Sequence, residues 1–131
     1  MVVTDVDGTT LAIIMKHKQT NTGDIEFVSH DNDSLQLAVM HRQAGEKIAK
    51  HYHNPIKREL MGTAEVLLVK SGIIHVEIYS KAQRKIQTVT LTDGDAIVLL
   101  SGGHSIHIVK ETVMYEIKQG PYAGQNDKTY F

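Results

Sequence analysis

The feature that most constrains this chain is the spacing of its apolar residues. They fall in period-two alternation or in short runs, with turn residues between them at regular intervals. Candidate strands cover residues 11–16, 25–29, 35–42, 47–53, 65–70, 73–79, 85–91, 96–100, 104–109 and 113–118. The connections TNTG, HDND, QAGE, SG, TDGD and SGG are rich in the residues that tight turns need, and KE marks one further break. No stretch of ten or more residues reads as a convincing helix. NDSLQLAVMHRQAG has some helical spacing, but its Val-Met and Leu-Gln-Leu runs suit a strand as well. Many short strands at regular spacing predict an all-β sandwich or barrel.

At 131 residues the chain fits one domain, which buries roughly two-thirds of its unfolded surface. An N-terminal strand segment (about residues 1–30) and an irregular C-terminal arm (about 119–131) flank the rest, with no linker, repeat or low-complexity stretch. The formal net charge of −1 carries no basic excess that would suit nucleic acid. No apolar run approaches the roughly 20 residues that a membrane-spanning helix needs. There is no cysteine, hence no disulfide or thiolate chemistry, and with no leader-like segment a cytoplasmic location is expected.

Asp5-Val6-Asp7-Gly8-Thr9 resembles the nucleophile loop of the haloacid-dehalogenase-like phosphatases, in which the first Asp attacks a phosphoryl group. The context does not suit that family. A buried parallel strand should precede the loop and a helix follow it, whereas only four residues precede Asp5 and TLAIIMKHK has no helical start signal. The stretch is expected to be a polar turn, with no phosphatase activity.

Eight histidines are many for this length. His51 and His53 form His-x-His in KIAKHYH; on a strand both point to one face, where two imidazoles can grip one metal ion. His104 shares a strand face with Ile106 and Ile108, while His107 falls on the other face with Ser105. Glu65 opens a strand with Leu67 and Val69 on its own face, a costly place for a carboxylate unless it is paired or metal-bound. Glu59 is the competing acid, in loop-like NPIKREL. His41 and His75 read as isolated surface or core residues, and His17 and His30 lie near turns.

Gly45 to His53, Glu65 to Gly72 and Gly94 to His104 together resemble the two signature motifs of the cupin superfamily. HYHNPIKRELMGTAEVLLVKSG, GDAIVLLSGGH and EIKQGPYAGQNDKTYF resemble a small single-domain bacterial cupin group of poorly defined function. The spacing departs from the superfamily in three places: a longer gap between His53 and Glu65, Leu100 where Pro is usual, and His104 one residue early. The resemblance implies a double-stranded β-helix (jelly-roll) barrel. It also implies one divalent transition metal (Fe, Mn, Ni or Zn) held by His51, His53, Glu65 and His104, a nitrogen and oxygen donor set that does not choose among these ions. Arg58, in the loop between ligands, matches the group's Arg, and its guanidinium would clamp a carboxylate or phosphate of the substrate.

Two functions follow from the resemblance. One is a metal-dependent enzyme, isomerase or oxygenase, acting on a small polar molecule such as a sugar derivative or a hydroxy or keto acid. The other is a non-catalytic small-ligand or carbohydrate-binding module. No catalytic base is identifiable. A homodimer is implied too, and LAIIM and IEFV in residues 11–29 are apolar enough to cover an edge or build a twofold interface. Tyr122, Tyr130 and Phe131 are expected to anchor the C-terminal arm on the barrel.

Overall fold

A computed structural model of the chain describes residues 1–18, 24–122 and 124–131. The turn expected at residues 20–23 lies outside the described residues. The strands are β1 (Val2–Thr4), β2 (Thr10–Met15), β3 (Ile25–Phe27), β4 (Ala38–Met40), β5 (Glu65–Tyr79), β6 (Lys85–Thr92), β7 (Ala96–Leu99) and β8 (Gly103–Lys118). A 3-10 turn, Gly124–Asp127, follows them. The expected class, all-β, holds.

Six strands form one antiparallel sheet in the order β1-β2-β7-β5-β6, with β8 along the other side of β5. The sheet curls into a half-barrel. β3 and β4 make a separate two-stranded sheet. The core lies inside the curl and draws on Leu11 and Ile14 of β2, Leu67, Val69, Ile74, Val76 and Ile78 of β5, Val89 and Leu91 of β6, and Ile97 and Leu99 of β7. Each fully buried Leu or Ile contributes about 1.5–3 kcal/mol, so these alternating positions dominate the stability of the sheet.

Two of the expected breaks in the sheet are absent. Residues 65–70 and 73–79 are one strand, β5, and residues 104–109 and 113–118 are one strand, β8. The Ser71-Gly72 "turn" is instead a bulged bend in the β5–β8 ladder, where the register slips between Val69 and Ile74. A bulge inserts an unpaired residue and bends the strand. Here it also resets the phase, so that Leu67 and Val69 before it and Ile74, Val76 and Ile78 after it all face the core. Gly72 makes the bend possible: its φ is +111°, and a Cβ there would meet Thr112 Oγ1 at 2.3 Å.

The expected strand at residues 47–53 is not formed, which corrects the alternation-based reading. Residues 41–63 are exposed throughout and carry no strand. In KIAKHYH one face would hold Lys47, Ala49, His51 and His53 and the other Ile48, Lys50 and Tyr52. Neither face offers an apolar strip, and alternation without a face to bury gives a strand nothing to pack. The outer candidate strands also shorten, 25–29 to Ile25–Phe27 and 35–42 to Ala38–Met40.

Asp5-Val6-Asp7-Gly8-Thr9 is the turn between antiparallel β1 and β2, as expected. Asp5 N donates to Thr9 O at 2.9 Å and Thr9 N to Asp7 Oδ1 at 2.9 Å, and the contacts to Thr9 hold the Asp7 carboxyl below its ordinary value. No parallel strand and no helix flank it. The Gly94-Asp95 pair closes the β6–β7 turn. Asp95 is 2% exposed and accepts from Lys16 Nζ (2.7 Å), His17 N (2.9 Å) and Thr92 N (2.9 Å). Burial alone would raise its carboxyl, but these donors outweigh burial and lower it. Among the described residues no helix is long and apolar enough to cross a membrane.

β2 lies between β1 and β7 with Leu11, Ala12, Ile13 and Ile14 at most 1% exposed. All of LAIIM but the half-buried Met15 is therefore buried within one chain, and these four residues are not left over for a twofold interface. Ile25 and Phe27 of the second expected run stay exposed on β3. In the C-terminal arm Phe131 packs edge-on against Tyr79 with ring centroids 5.4 Å apart. Lys118 Nζ sits 5.8 Å from the Tyr122 ring centre and pairs with Asp127 at 3.2 Å. Tyr130 is 90% exposed and buries too little surface to anchor the arm.

Candidate functional site

Glu65 begins β5 and pairs in register with Lys118, whereas His104 pairs with Ile78 near the other end of the same strand. Thirteen residues of straight strand separate positions 65 and 78, or about 43 Å at about 3.3 Å per residue. Yet Glu65 Oε2 and His104 Nε2 are 3.1 Å apart. The two ends of the ladder meet because it curls, and the bulge at Ser71–Ile73 supplies part of that bend. The strand-phase reading of both residues agrees with this placement: Glu65 follows Leu67 and Val69 to the inner face, and His104 follows Ile106.

The Glu65 side chain is 8% exposed and that of His104 30%. A buried carboxylate needs a partner to offset its lost hydration, and the His104 imidazole, with Nε2 3.1 Å from Oε2, is the side chain that stands beside it. Two further ties hold the position: Ala64 N donates to Gln119 Oε1 at 2.7 Å, and β7 flanks Glu65 through Leu99. The pair opens onto a cleft of about 910 Å³, walled by Ser80, Lys81, Ser105, Lys128, Tyr130 and Phe131 among others. Both ends of β5 and the chain's last residues thus line one cavity. Its lining by Ser80, Lys81 and the 127–131 segment was not readable from sequence, because it depends on how far the ladder curls.

The other expected site residues lie elsewhere. His51 and His53 stand next to each other, ring centroids 5.4 Å apart and nearly perpendicular, in the exposed 41–63 segment. Arg58 is exposed in the same segment. Glu59 pairs with Lys57 at 2.8 Å, also exposed. His107 faces His75 across the β5–β8 ladder, on the outer face, with centroids 6.1 Å apart. Among the described residues no three His, Asp or Glu side chains stand close enough to hold one ion.

The fit to a metal is therefore partial. Two donors at right angles on an ion, each about 2.1 Å from it, stand about 3.0 Å apart. The Glu65–His104 separation matches that of two adjacent ligands. The His51–His53 pair does not join them in this arrangement, so the four residues divide into two pairs.

On the outer face of the same ladder Glu77 accepts from Lys85, from Tyr79 Oη at 2.5 Å and from Ser105 Oγ at 3.2 Å. The Lys85 hydrogen bond first, then that of Tyr79, brings its carboxyl down to about 2. This cluster ties β5, β6 and β8 together and reaches the cleft's lining at Ser105. Comparison of the chain with protein-family models, curated proteins and solved structures finds no match.

Proposed function

We propose that the chain is a cupin-type pocket protein that binds a small polar molecule in the cleft at Glu65 and His104. The observation that carries the reading is the 3.1 Å contact between these two residues at the wall of a cavity large enough for such a ligand. Ligand pockets are concave, and a few convergent polar groups fix the bound molecule's orientation. The cupin reading is supported by the spacing of the motifs around Gly45, Glu65, Gly94 and His104 and by the curled antiparallel sheet.

A divalent transition metal belongs to the same proposal. Glu65 and His104 would hold it from the sheet, and His51 and His53 from the segment that leads into β5. Eleven residues separate His53 from Glu65, and at about 3.3 Å per extended residue they span the cleft with length to spare. Bound there, the ion would offer open positions to a hydroxyl, keto or carboxylate oxygen. Arg58 would arrive on the same segment. Catalysis by isomerisation or oxygenation is the enzyme form of this function. The binding-module form, in which the cleft holds a ligand without turnover, draws its support from the cleft itself, where the described residues place no third acid or imidazole beside the pair. A homodimer is also proposed, with the exposed Ile25 and Phe27 of β3 as its apolar contribution; light scattering that returns a monomer would remove it.

Metal analysis of the purified chain tests the metal. Near-stoichiometric Fe, Mn, Ni or Zn is expected in the intact protein, with loss in the His51→Ala/His53→Ala double variant. Full occupancy in that variant would restrict the site to the Glu65–His104 pair, and absence of metal from the intact protein after supplementation would remove the metal while leaving the pocket.

A further inference from the structure

Resting on the pocket reading just given, we propose that the cleft's ligand is a small organic anion, a carboxylate or a phosphate ester with a flat or apolar body. Charge in the cleft is the starting point. Of its two acids, Asp127 is paired with Lys118 at 3.2 Å, and Glu65 has the His104 imidazole 3.1 Å away. Its two lysines, Lys81 and Lys128, make no ion pair among the described residues. Asp7 lies within Coulomb range of Lys81 but forms no ion pair with it among those residues. Among the described residues the cleft is therefore lined by two lysines without an ion-pair partner against one carboxylate, Glu65, that has an imidazole and no cation beside it, while the chain's formal net charge is −1.

The rest of the lining suits the same ligand. Ser80 is 2% exposed and its Oγ accepts from Arg84 N at 3.2 Å, which leaves the hydroxyl proton for another acceptor. Tyr130 and Phe131 bring aromatic surface to the same lining. Phe131 is held where it is by Gly103, whose missing Cβ would meet the ring Cζ at 2.7 Å, and by its edge-on contact with Tyr79. Aromatic side chains and two lysines in one lining give an acceptor-rich head group its partners and a flat body its contact surface.

Four one-ring probes that differ in charge decide the matter: phenyl phosphate, benzoate, benzyl alcohol and benzylamine, titrated by calorimetry into the full chain. At least one anion is expected to bind about tenfold tighter than benzyl alcohol, with benzylamine weakest. The tighter of the two anions identifies the head group. Lys81→Ala/Lys128→Ala should weaken anion binding about fivefold or more, and raised salt should reduce the difference from benzyl alcohol. Lys70→Ala/Lys110→Ala makes the same change in net charge at exposed residues outside the cleft lining and should leave binding unchanged. Repeating the titration after chelator treatment separates this inference from the metal: anion binding that persists without metal and still depends on the two lysines supports it even if no metal site exists. Equal affinity for alcohol and anions, failure of both anions to bind, or anion binding indifferent to Lys81 and Lys128 would overturn it.

Discussion

The β5–β8 ladder and the 41–63 segment look alike as sequence and behave oppositely as structure. Both show alternation, both carry histidines in phase, and each supplies half of the expected ligand set. The ladder's alternation has an apolar side. Leu67, Val69, Ile74, Val76 and Ile78 pack into the core, and the polar residues between them are left to the other face. KIAKHYH alternates without one, and every residue of it is exposed. Periodicity places a residue on a face, but only burial of that face turns the phase into a position in space.

The largest effect should come from cutting each region at an aliphatic side chain. Ile74→Ala removes a side chain that is fully buried and should cost about 2–5 kcal/mol in chemical denaturation. Ile48→Ala, at 63% exposure, should stay within about 0.5 kcal/mol. Comparable losses in the two would mean that the 41–63 segment is packed after all.

Glycine sharpens the same contrast. Gly72 and Gly45 both have positive φ, +111° and +91°. A Cβ at Gly45 meets nothing, whereas one at Gly72 meets Thr112 at 2.3 Å and the backbone of Glu111 at 2.4 Å. Gly45→Ala should cost about 1 kcal/mol, for backbone strain alone. Gly72→Ala should cost clearly more, about 2–4 kcal/mol, and should also loosen the bend that brings Glu65 to His104, weakening ligand or metal binding. Equal melting temperatures for the two variants would deny the bulge its role.

A smaller effect separates the regions by pH. The Glu77 carboxyl is lowered from 4.5 to about 2 by its hydrogen bonds. A depressed acid contributes stability that is complete above its unfolded value and is lost as pH falls through its folded one. The ladder should therefore lose stability between about pH 4.5 and pH 2, and Glu77→Gln should flatten that part of the profile. Lys57–Glu59 is an exposed pair in the segment and should add nothing measurable. An unchanged acid limb in Glu77→Gln would dismiss the cluster.

The all-β class and the strands from residue 65 onward were legible because apolar alternation there coincides with burial. The inner-face placement of Glu65 and His104 followed from strand phase. The Asp5–Thr9 turn was legible from its Asp-Gly pair and its lack of a flanking helix. The continuity of β5 through Ser71-Gly72 was not, since a glycine that ends a strand and one that bends it look identical until its neighbour, Thr112, is known. Nor was the meeting of Glu65 with His104 across a whole ladder, or the exposure of His51 and His53: both depend on curvature and on what remains to be covered once the core is full.

Curvature, not proximity in register, makes the site. Nuclear Overhauser contacts on the uniformly labelled chain test this most directly, because they report proton pairs only at contact distance. Cross-peaks are expected between the Glu65 side chain and the His104 imidazole, alongside the ladder contacts of Glu65 with Lys118 and of His104 with Ile78. Ladder contacts present at both ends, with no cross-peak between Glu65 and His104 once both are assigned, would contradict it.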